Sequence, residues 1–243
     1  MTRVSSGEEL QSHASWRQKA AERSASGQLE AMVSSELFDH TWKASAQNII
    51  SALRLNGSER VLDAGCGWGR VIHALKSHMP ALQIDGFELT DEFVDRARRL
   101  LRESELDQGV TITPADLTTA AFSPATYDAF YSTRVLHYIE DKKAVLRRLH
   151  GALKPGGRGM IVLPNRRCPY RWLTYRHAPL FPIESVGEIM ADVGFRKLSY
   201  GGFGFFPAEP RLPHESFACK LDRALSNSPL GHFAGLAYVV GTK

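Results

Sequence analysis

The stretch 60–70, Arg-Val-Leu-Asp-Ala-Gly-Cys-Gly-Trp-Gly-Arg, constrains the fold of this chain more than any other. Arg60 to Ala64 reads as a short buried strand, and Gly69 opens a helix with Val71, Ile72 and Leu75 on one face. Between them lie Gly65, Gly67 and Gly69, at alternate positions. A strand that turns at once into a helix needs residues tolerant of unusual φ/ψ, which glycine supplies. Without Cβ atoms, the same glycines let a ligand lie directly on the backbone beside the positive end of the helix. The stretch therefore predicts a ligand cradle.

The rest of the chain alternates strand and helix signals, as a doubly wound parallel sheet requires. Apolar residues at helical spacing (Phe38, Trp42, Ala46, Ile49, Ile50, Leu53) predict a helix over 37–53, stopped by Asn56-Gly57. Further strands are expected at Leu82–Glu88, Val110–Pro114, Tyr127–Thr133 and Gly159–Leu163. Thr90 reads as the N-cap of a helix that turns Phe93, Val94, Ala97, Leu100 and Leu101 inward and Arg96, Arg98, Arg99 and Arg102 to water. A helix over 142–153 buries Val145, Leu146, Leu149 and Leu153 and ends at Lys154-Pro155-Gly156-Gly157. Residues 1–36 are polar, and read as a flexible terminus or a helical lid that brings Trp16, Phe38 or Trp42 over the pocket. Residues 37–243 read as one domain.

In parallel α/β sheets a ligand sits beyond the carboxyl ends of the strands, and two acids fall there. Glu88 closes the second strand, where a carboxylate can accept from two ribose hydroxyls; Asp85 is its competitor. Asp116 follows the third strand, placed to accept from an adenine amino group while Leu117 packs on the ring, although an aspartate in a loop also serves as a turn residue. A dinucleotide fingerprint reads G-x-G-x-x-G with an acid roughly 20 residues on. Here the pattern is Asp63-x-Gly65-x-Gly67-x-Gly69, with the acid inside the strand.

That pattern, with Glu88, Asp116, Tyr127-Asp128-Ala129-Phe130 and Leu153-Lys154-Pro155-Gly156-Gly157, resembles the successive motifs of the Rossmann-like (class I) S-adenosylmethionine-dependent methyltransferases. The resemblance covers residues 44–163. It implies a seven-stranded sheet in order 3-2-1-4-5-7-6 with the last strand antiparallel, and Phe195–Tyr200 and Leu236–Gly241 match strands six and seven. It also implies S-adenosylmethionine as cofactor, held by Asp63, Ala64, Gly65, Cys66, Gly67 and Arg70, by Glu88 and Leu89, by Asp116 and Leu117, and by Ser132. By the same resemblance, Asp63 and Gly65 lie by the methionine end, Glu88 by the ribose and Asp116 by the adenine.

Arg134-Val135-Leu136-His137-Tyr138-Ile139 follows the fourth strand and resembles the segment common there in small-molecule methyltransferases. His137 titrates near neutral pH and is the candidate general base, its alternative being to shape the pocket or cap the next helix. Tyr131, Tyr138 and His73 are weaker candidates for the base. Substrate contacts are expected from Tyr138, from the basic and aromatic segment 165–182 (Arg171 and Trp172 foremost), and from segment 201–230, where Phe203, Phe205 and Phe206 cluster. The expected reaction is methylation of a small aromatic or apolar metabolite, at oxygen, with N- or C-methylation as alternatives.

Composition is consistent with these expectations: 243 residues, 43% hydrophobic and 23% charged, suit an ordinary globular domain. A net charge of +4 permits an anionic substrate or nucleic acid without requiring either. The base-modifying Asp/Asn-Pro-Pro-aromatic motif is replaced by Ser132-Thr133-Arg134-Val135, which disfavours a nucleic-acid enzyme. The arginine-rich segment 165–182 keeps an RNA methyltransferase open as a lesser alternative, and a non-catalytic S-adenosylmethionine-binding protein is another. Cys66, Cys168 and Cys219 are too dispersed for a zinc cluster or disulfide framework, and no metal is expected. No stretch approaches the roughly 18 apolar residues of a membrane span, and the expected location is the cytoplasm.

Overall fold

A computed structural model describes residues 36–169, 180–205, 217–226 and 228–243. Seven strands form one sheet: β1 (Arg60–Ala64), β2 (Gln83–Glu88), β3 (Val110–Pro114), β4 (Tyr127–Thr133), β5 (Leu153–Pro164), β6 (Arg196–Phe203) and β7 (Leu236–Thr242). Their order is β3-β2-β1-β4-β5-β7-β6. β1 to β5 run parallel, whereas β7 pairs antiparallel with both β5 and β6. The order expected from the family resemblance is the observed one.

Helices cover both faces. Strand side chains alternate between faces with period 2, so Val61, Met160 and Val162 join one apolar cluster and Leu62, Ile161 and Leu163 the other. The first cluster is closed by α1 (Glu36–Leu53), α2 (Arg70–His78) and α3 (Asp91–Glu103), through Ile49, Leu75 and Leu101 among others. The second is closed by α4 (Lys142–Ala152) and α5 (Ile183–Val193), through Leu146, Leu149 and Met190. A further helix, α6 (Phe217–Ser226), precedes β7. Burial of each such side chain contributes roughly 1.5–3 kcal/mol.

Three expectations are revised. β5 starts at Leu153, so Lys154-Pro155-Gly156-Gly157 belongs to the strand, with a register shift against β4 between Tyr127 and Ala129. β6 runs to Phe203, three residues further than the apolar pattern indicated. Arg96 is half-buried rather than solvated, its guanidinium 4.6 Å from the centre of the Trp68 ring.

The acids of the sheet separate by end. Asp85 and Asp128 serve the amino end: Asp85 pairs with Arg60 at 2.7 Å, and Asp128 pairs with Lys154 at 2.7 Å and accepts from the Arg60 N–H at 2.9 Å. Asp63 and Glu88 are left for the carboxyl end, which decides the competition between Asp85 and Glu88.

Candidate active site

The cradle is built by backbone geometry. Gly65, Gly67 and Gly69 have φ of 98°, 52° and 83°, all in the region that side-chain-bearing residues avoid. Gly65 and Gly69 also meet close neighbours: a Cβ on Gly65 would fall 2.3 Å from Val135 Cγ2, and one on Gly69 2.9 Å from Ala97 Cβ. Above Gly67 nothing lies within 4 Å of where a Cβ would stand. The bend is tied down by the Gly65 and Cys66 N–H groups, which donate to Phe87 O at 2.9 and 3.0 Å. Ser132 reinforces it from β4, its buried hydroxyl donating to Ala64 O at 2.7 Å. Cys66 is buried, its thiol is pushed well up by that burial, and it sits beneath the bend as packing.

Glu88 joins the end of β2 to this bend. Its carboxylate accepts from the Gly67 N–H at 2.9 Å and from the Thr90 N–H and hydroxyl, each at 3.2 Å. Thr90 does occupy the N-cap of α3, but its side chain bonds Glu88 and makes no cap bond. Burial raises the Glu88 carboxyl, and these donors partly offset the rise. A carboxylate has about four lone-pair sites, so three donors leave room for a hydroxyl. Leu89 follows, half-buried.

Asp63 lies at the bottom of the cradle, 2% exposed, and its Oδ2 has no hydrogen-bond partner. Burial pushes its carboxyl up to about 8; the neighbouring Tyr131 hydroxyl acts against that shift, and the Glu88 charge adds to it. The Tyr131 hydroxyl and Asp63 face each other as a buried pair, and Thr133 Oγ1 and His137 Nδ1, on β4 and just beyond it, are buried without a hydrogen-bond partner. Buried polar atoms are ordinarily hydrogen-bonded. Exceptions gathered at the carboxyl end of β4, beside a buried acid on β1, are consistent with a place that receives a polar ligand.

Asp116 lies in the loop after β3, with Oδ1 accepting from the Thr118 N–H at 2.8 Å and hydroxyl at 2.6 Å, the turn role weighed for it above. Leu117 is buried in the second core cluster, whose margin includes Phe87 and Phe122.

His137 sits in a short 3-10 turn, Leu136–Tyr138, and is 1% exposed. Its ring lies 3.9 Å from that of Tyr138, centre to centre. Burial, with the charges of Arg134 and Lys142, holds the imidazole down to about 3. It is therefore neutral at physiological pH and can accept a hydrogen bond, but the same burial makes it a weak base in the unliganded chain.

Sequence reasoning offered Trp42 as a cover for the pocket and Arg70 as a cofactor residue but missed that guanidiniums stack on the tryptophans. Trp42 of α1 lies between two guanidiniums, Arg134 at 4.3 Å and Arg70 at 5.5 Å from its ring centre. Arg70 also lies 3.4 Å from the Trp68 ring centre. Each such contact contributes about 0.5–2 kcal/mol, so α1 is fastened across the site. The signal was the arginine that opens α2, at 70, and the arginine immediately after β4, at 134.

Phe203, expected in the substrate pocket, is the last residue of β6, 1% exposed and packed in the core near Tyr238. Phe205 is half-buried, and its N–H donates to Asp222. Arg171, Trp172, Trp16 and Phe206, with the proposed lid before residue 36, lie outside the described residues. Among the described residues no group of His, Cys, Asp or Glu could hold a metal ion, and no helix is long and apolar enough to cross a membrane.

A glycine bend on β1, acids on β1 and β2, and a neutral histidine beyond β4 thus stand together at the carboxyl end of the sheet. Residues 62–158 match the methyltransferase domain family model. The chain is 33% identical over 135 residues to carboxy-S-adenosyl-L-methionine synthase of Chromohalobacter salexigens, covering 53% of this chain and 50% of that one. It is 23% identical to O-methyltransferase resE of Aspergillus sclerotiorum, covering 69% and 66%. Phosphoethanolamine N-methyltransferase 2 of Haemonchus contortus, solved with phosphomonomethylethanolamine and S-adenosylhomocysteine, superposes with a TM-score of 0.62 at 19% identity, over 85% of this chain and 56% of that one. The chain spans half of the first relative and just under two thirds of the second. Residues 62–158 thus carry a methyltransferase domain, and the fold around them is that of the Rossmann-like, class I S-adenosylmethionine-dependent methyltransferases.

The cradle fits that cofactor. Gly67 offers open backbone, Asp63 Oδ2 is an unpartnered acceptor for an ammonium group, and Glu88 retains acceptor capacity for a hydroxyl.

Proposed function

We propose that this chain methylates a small-molecule acceptor at oxygen. Asp63 and the Gly65–Gly67 backbone take the methionine end of S-adenosylmethionine, Arg70 and Ser132 shape its surroundings, Glu88 takes a ribose hydroxyl, and Leu89, Asp116 and Leu117 surround the adenine. When bound, the cofactor supplies a methyl group made electrophilic by its sulfonium. The chain's own contribution is to orient and desolvate, which can be worth roughly 7–11 kcal/mol.

The observation that carries the reading is His137, buried and neutral beyond β4, with Nδ1 unpartnered. There it can accept a hydrogen bond from an acceptor hydroxyl and orient it, while Tyr138 against its ring limits rotation; taking the proton, a contribution of about 10²–10⁴-fold, requires the bound complex to raise its basicity. The acceptor lies beyond β4 and β5, opposite the acids of β1 and β2.

The test is methyl transfer from radiolabelled S-adenosylmethionine to a panel of hydroxylated small molecules, beside calorimetry with S-adenosylhomocysteine. His137→Ala is expected to lower kcat about 10²-fold or more and leave S-adenosylhomocysteine affinity intact. Unchanged turnover removes His137 from the chemistry. Failure of the wild-type chain to bind S-adenosylhomocysteine removes the reading altogether.

A further inference from the structure

Asp63 stands in an apolar row of the sheet. Strand register runs Ile112, Gly86, Asp63, Tyr131, Met160 and Val240 from β3 across to β7, and every one of them is buried. On the β2 side Gly86 carries no side chain, and its place is taken by Ile112, Cys66 and Ile72, each within 3.0 Å of where a Cβ would stand. On the β4 side the direct register partner of Asp63 is Tyr131, 0% exposed, whose hydroxyl faces the carboxyl.

An ionised carboxylate in that row would have no counter-charge. Glu88 on β2 and the Cys66 thiol in the bend are the other ionisable groups coupled to it, and neither is a cation. On the helices packed over this face, the guanidiniums of Arg70 and Arg96 lie on the Trp68 ring, Lys76 donates to Leu82 O and Gln108 O, and Arg98 donates to Ile112 O. Lys43 of α1 and His73 of α2 are half-buried. Among the described residues, no cation acts on the Asp63 carboxyl. Loss of water without a compensating charge favours the neutral acid, in keeping with a carboxyl pushed up to about 8.

We propose that Tyr131 is a positioning residue that holds Asp63 as a protonated pair in the free chain, and that seating the cofactor's ammonium group expels this proton to solvent. The inference rests on the methyltransferase reading and deepens it. An opposite charge within reach favours the ionised carboxyl by roughly 10–1,000-fold, and the ammonium supplies the charge that the row lacks. The O–H bond of the acid breaks, its electron pair stays on the oxygen, and the proton passes to the buffer. The Tyr131 hydroxyl then donates to the carboxylate and fixes its orientation. One positive charge enters the row as one leaves, so cofactor affinity rises with pH for as long as the free pair is protonated.

The test is calorimetry of the full chain with S-adenosylhomocysteine at pH 6.5, repeated in buffers of different ionisation enthalpy, which counts the protons released on binding. About one proton per cofactor is expected, with affinity rising about ten-fold from pH 6 to pH 7. Asp63→Asn should remove most of that release, and so should replacing the ligand by 5′-methylthioadenosine, the same nucleoside without its ammonium. Tyr131→Phe keeps the ring but loses the donor to the ionised form. It should weaken S-adenosylhomocysteine binding about ten-fold at pH 6.5 and progressively less toward pH 9, whereas a merely structural loss would be the same at every pH. Binding without proton release, release unchanged in Asp63→Asn or with 5′-methylthioadenosine, or a Tyr131→Phe deficit independent of pH overturns the proposal and leaves the methyltransferase reading standing. Failure of the wild-type chain to bind S-adenosylhomocysteine defeats that reading, and this inference falls with it. If either variant does not fold, the proton counts of the wild-type chain with the two ligands still decide.

Discussion

Replacing Gly65 by alanine tests the cradle where two constraints coincide. The residue has a φ of 98°, and an added Cβ would stand 2.3 Å from Val135 Cγ2 and 3.0 Å from Val135 Cγ1. The backbone conformation costs a side-chain-bearing residue about 1–2 kcal/mol, and forcing a methyl group into filled space costs about 1–3 kcal/mol. Gly65→Ala should therefore destabilise the fold by about 2–5 kcal/mol. Val135→Ala removes both Cγ atoms, so it should relieve the steric part and leave the backbone part. In a double-mutant cycle read by urea denaturation, the pair should then be less destabilised than the sum of the singles by about 1–3 kcal/mol. The same cycle read by calorimetry should show S-adenosylhomocysteine affinity falling in Gly65→Ala and recovering partly in the double variant. Strict additivity would refute the claim that the first glycine is required for its close approach to the segment after β4.

Two further outcomes follow from the acids. The folded-state pKa of Asp63, about 8 against an ordinary 3.8, means that the native chain holds that proton more tightly than the unfolded chain. Its contribution to stability is thus complete below about pH 4 and is lost as pH rises toward 8, at no more than about 1.4 kcal/mol per pH unit. Asp63→Asn should flatten that slope in urea titrations between pH 5 and 9, and equal slopes would count against it. Glu88→Gln keeps the shape but leaves one acceptor oxygen for the Gly67 N–H and the two Thr90 donors. It should cost about 1–3 kcal/mol and weaken S-adenosylhomocysteine binding at least ten-fold; unaltered affinity would refute the ribose role.

Much of this architecture is legible in one dimension because it follows from local rules. Arg60–Ala64, Val110–Pro114 and Tyr127–Thr133 are strands in the structure with the bounds read from sequence. Their apolar periodicity and flanking turn residues are properties of neighbouring positions. Glu88 and Asp63 were identifiable for the same reason, since a strand's last residues are defined by the strand. The misread features all depend on distant partners. Phe203 looked like a pocket residue because nothing nearby shows that β6 runs on to pair with Leu236. Arg96 looked solvated because its ring partner, Trp68, lies on another element.

By itself, then, the sequence determined the alternation of strands and helices, the glycine bend and which acids end β1 and β2, all consequences of backbone sterics and side-chain period. Only tertiary structure decided the electrostatics. His137 is an ordinary imidazole until burial and the charges of Arg134 and Lys142 lower its proton affinity, and Asp63 is an ordinary carboxylate until the sheet closes over it. Arg134 and Arg70 reach a common partner, Trp42, only because α1 folds back across the sheet. Desolvation and charge–charge interaction act through space, between residues that the order of the chain does not bring together.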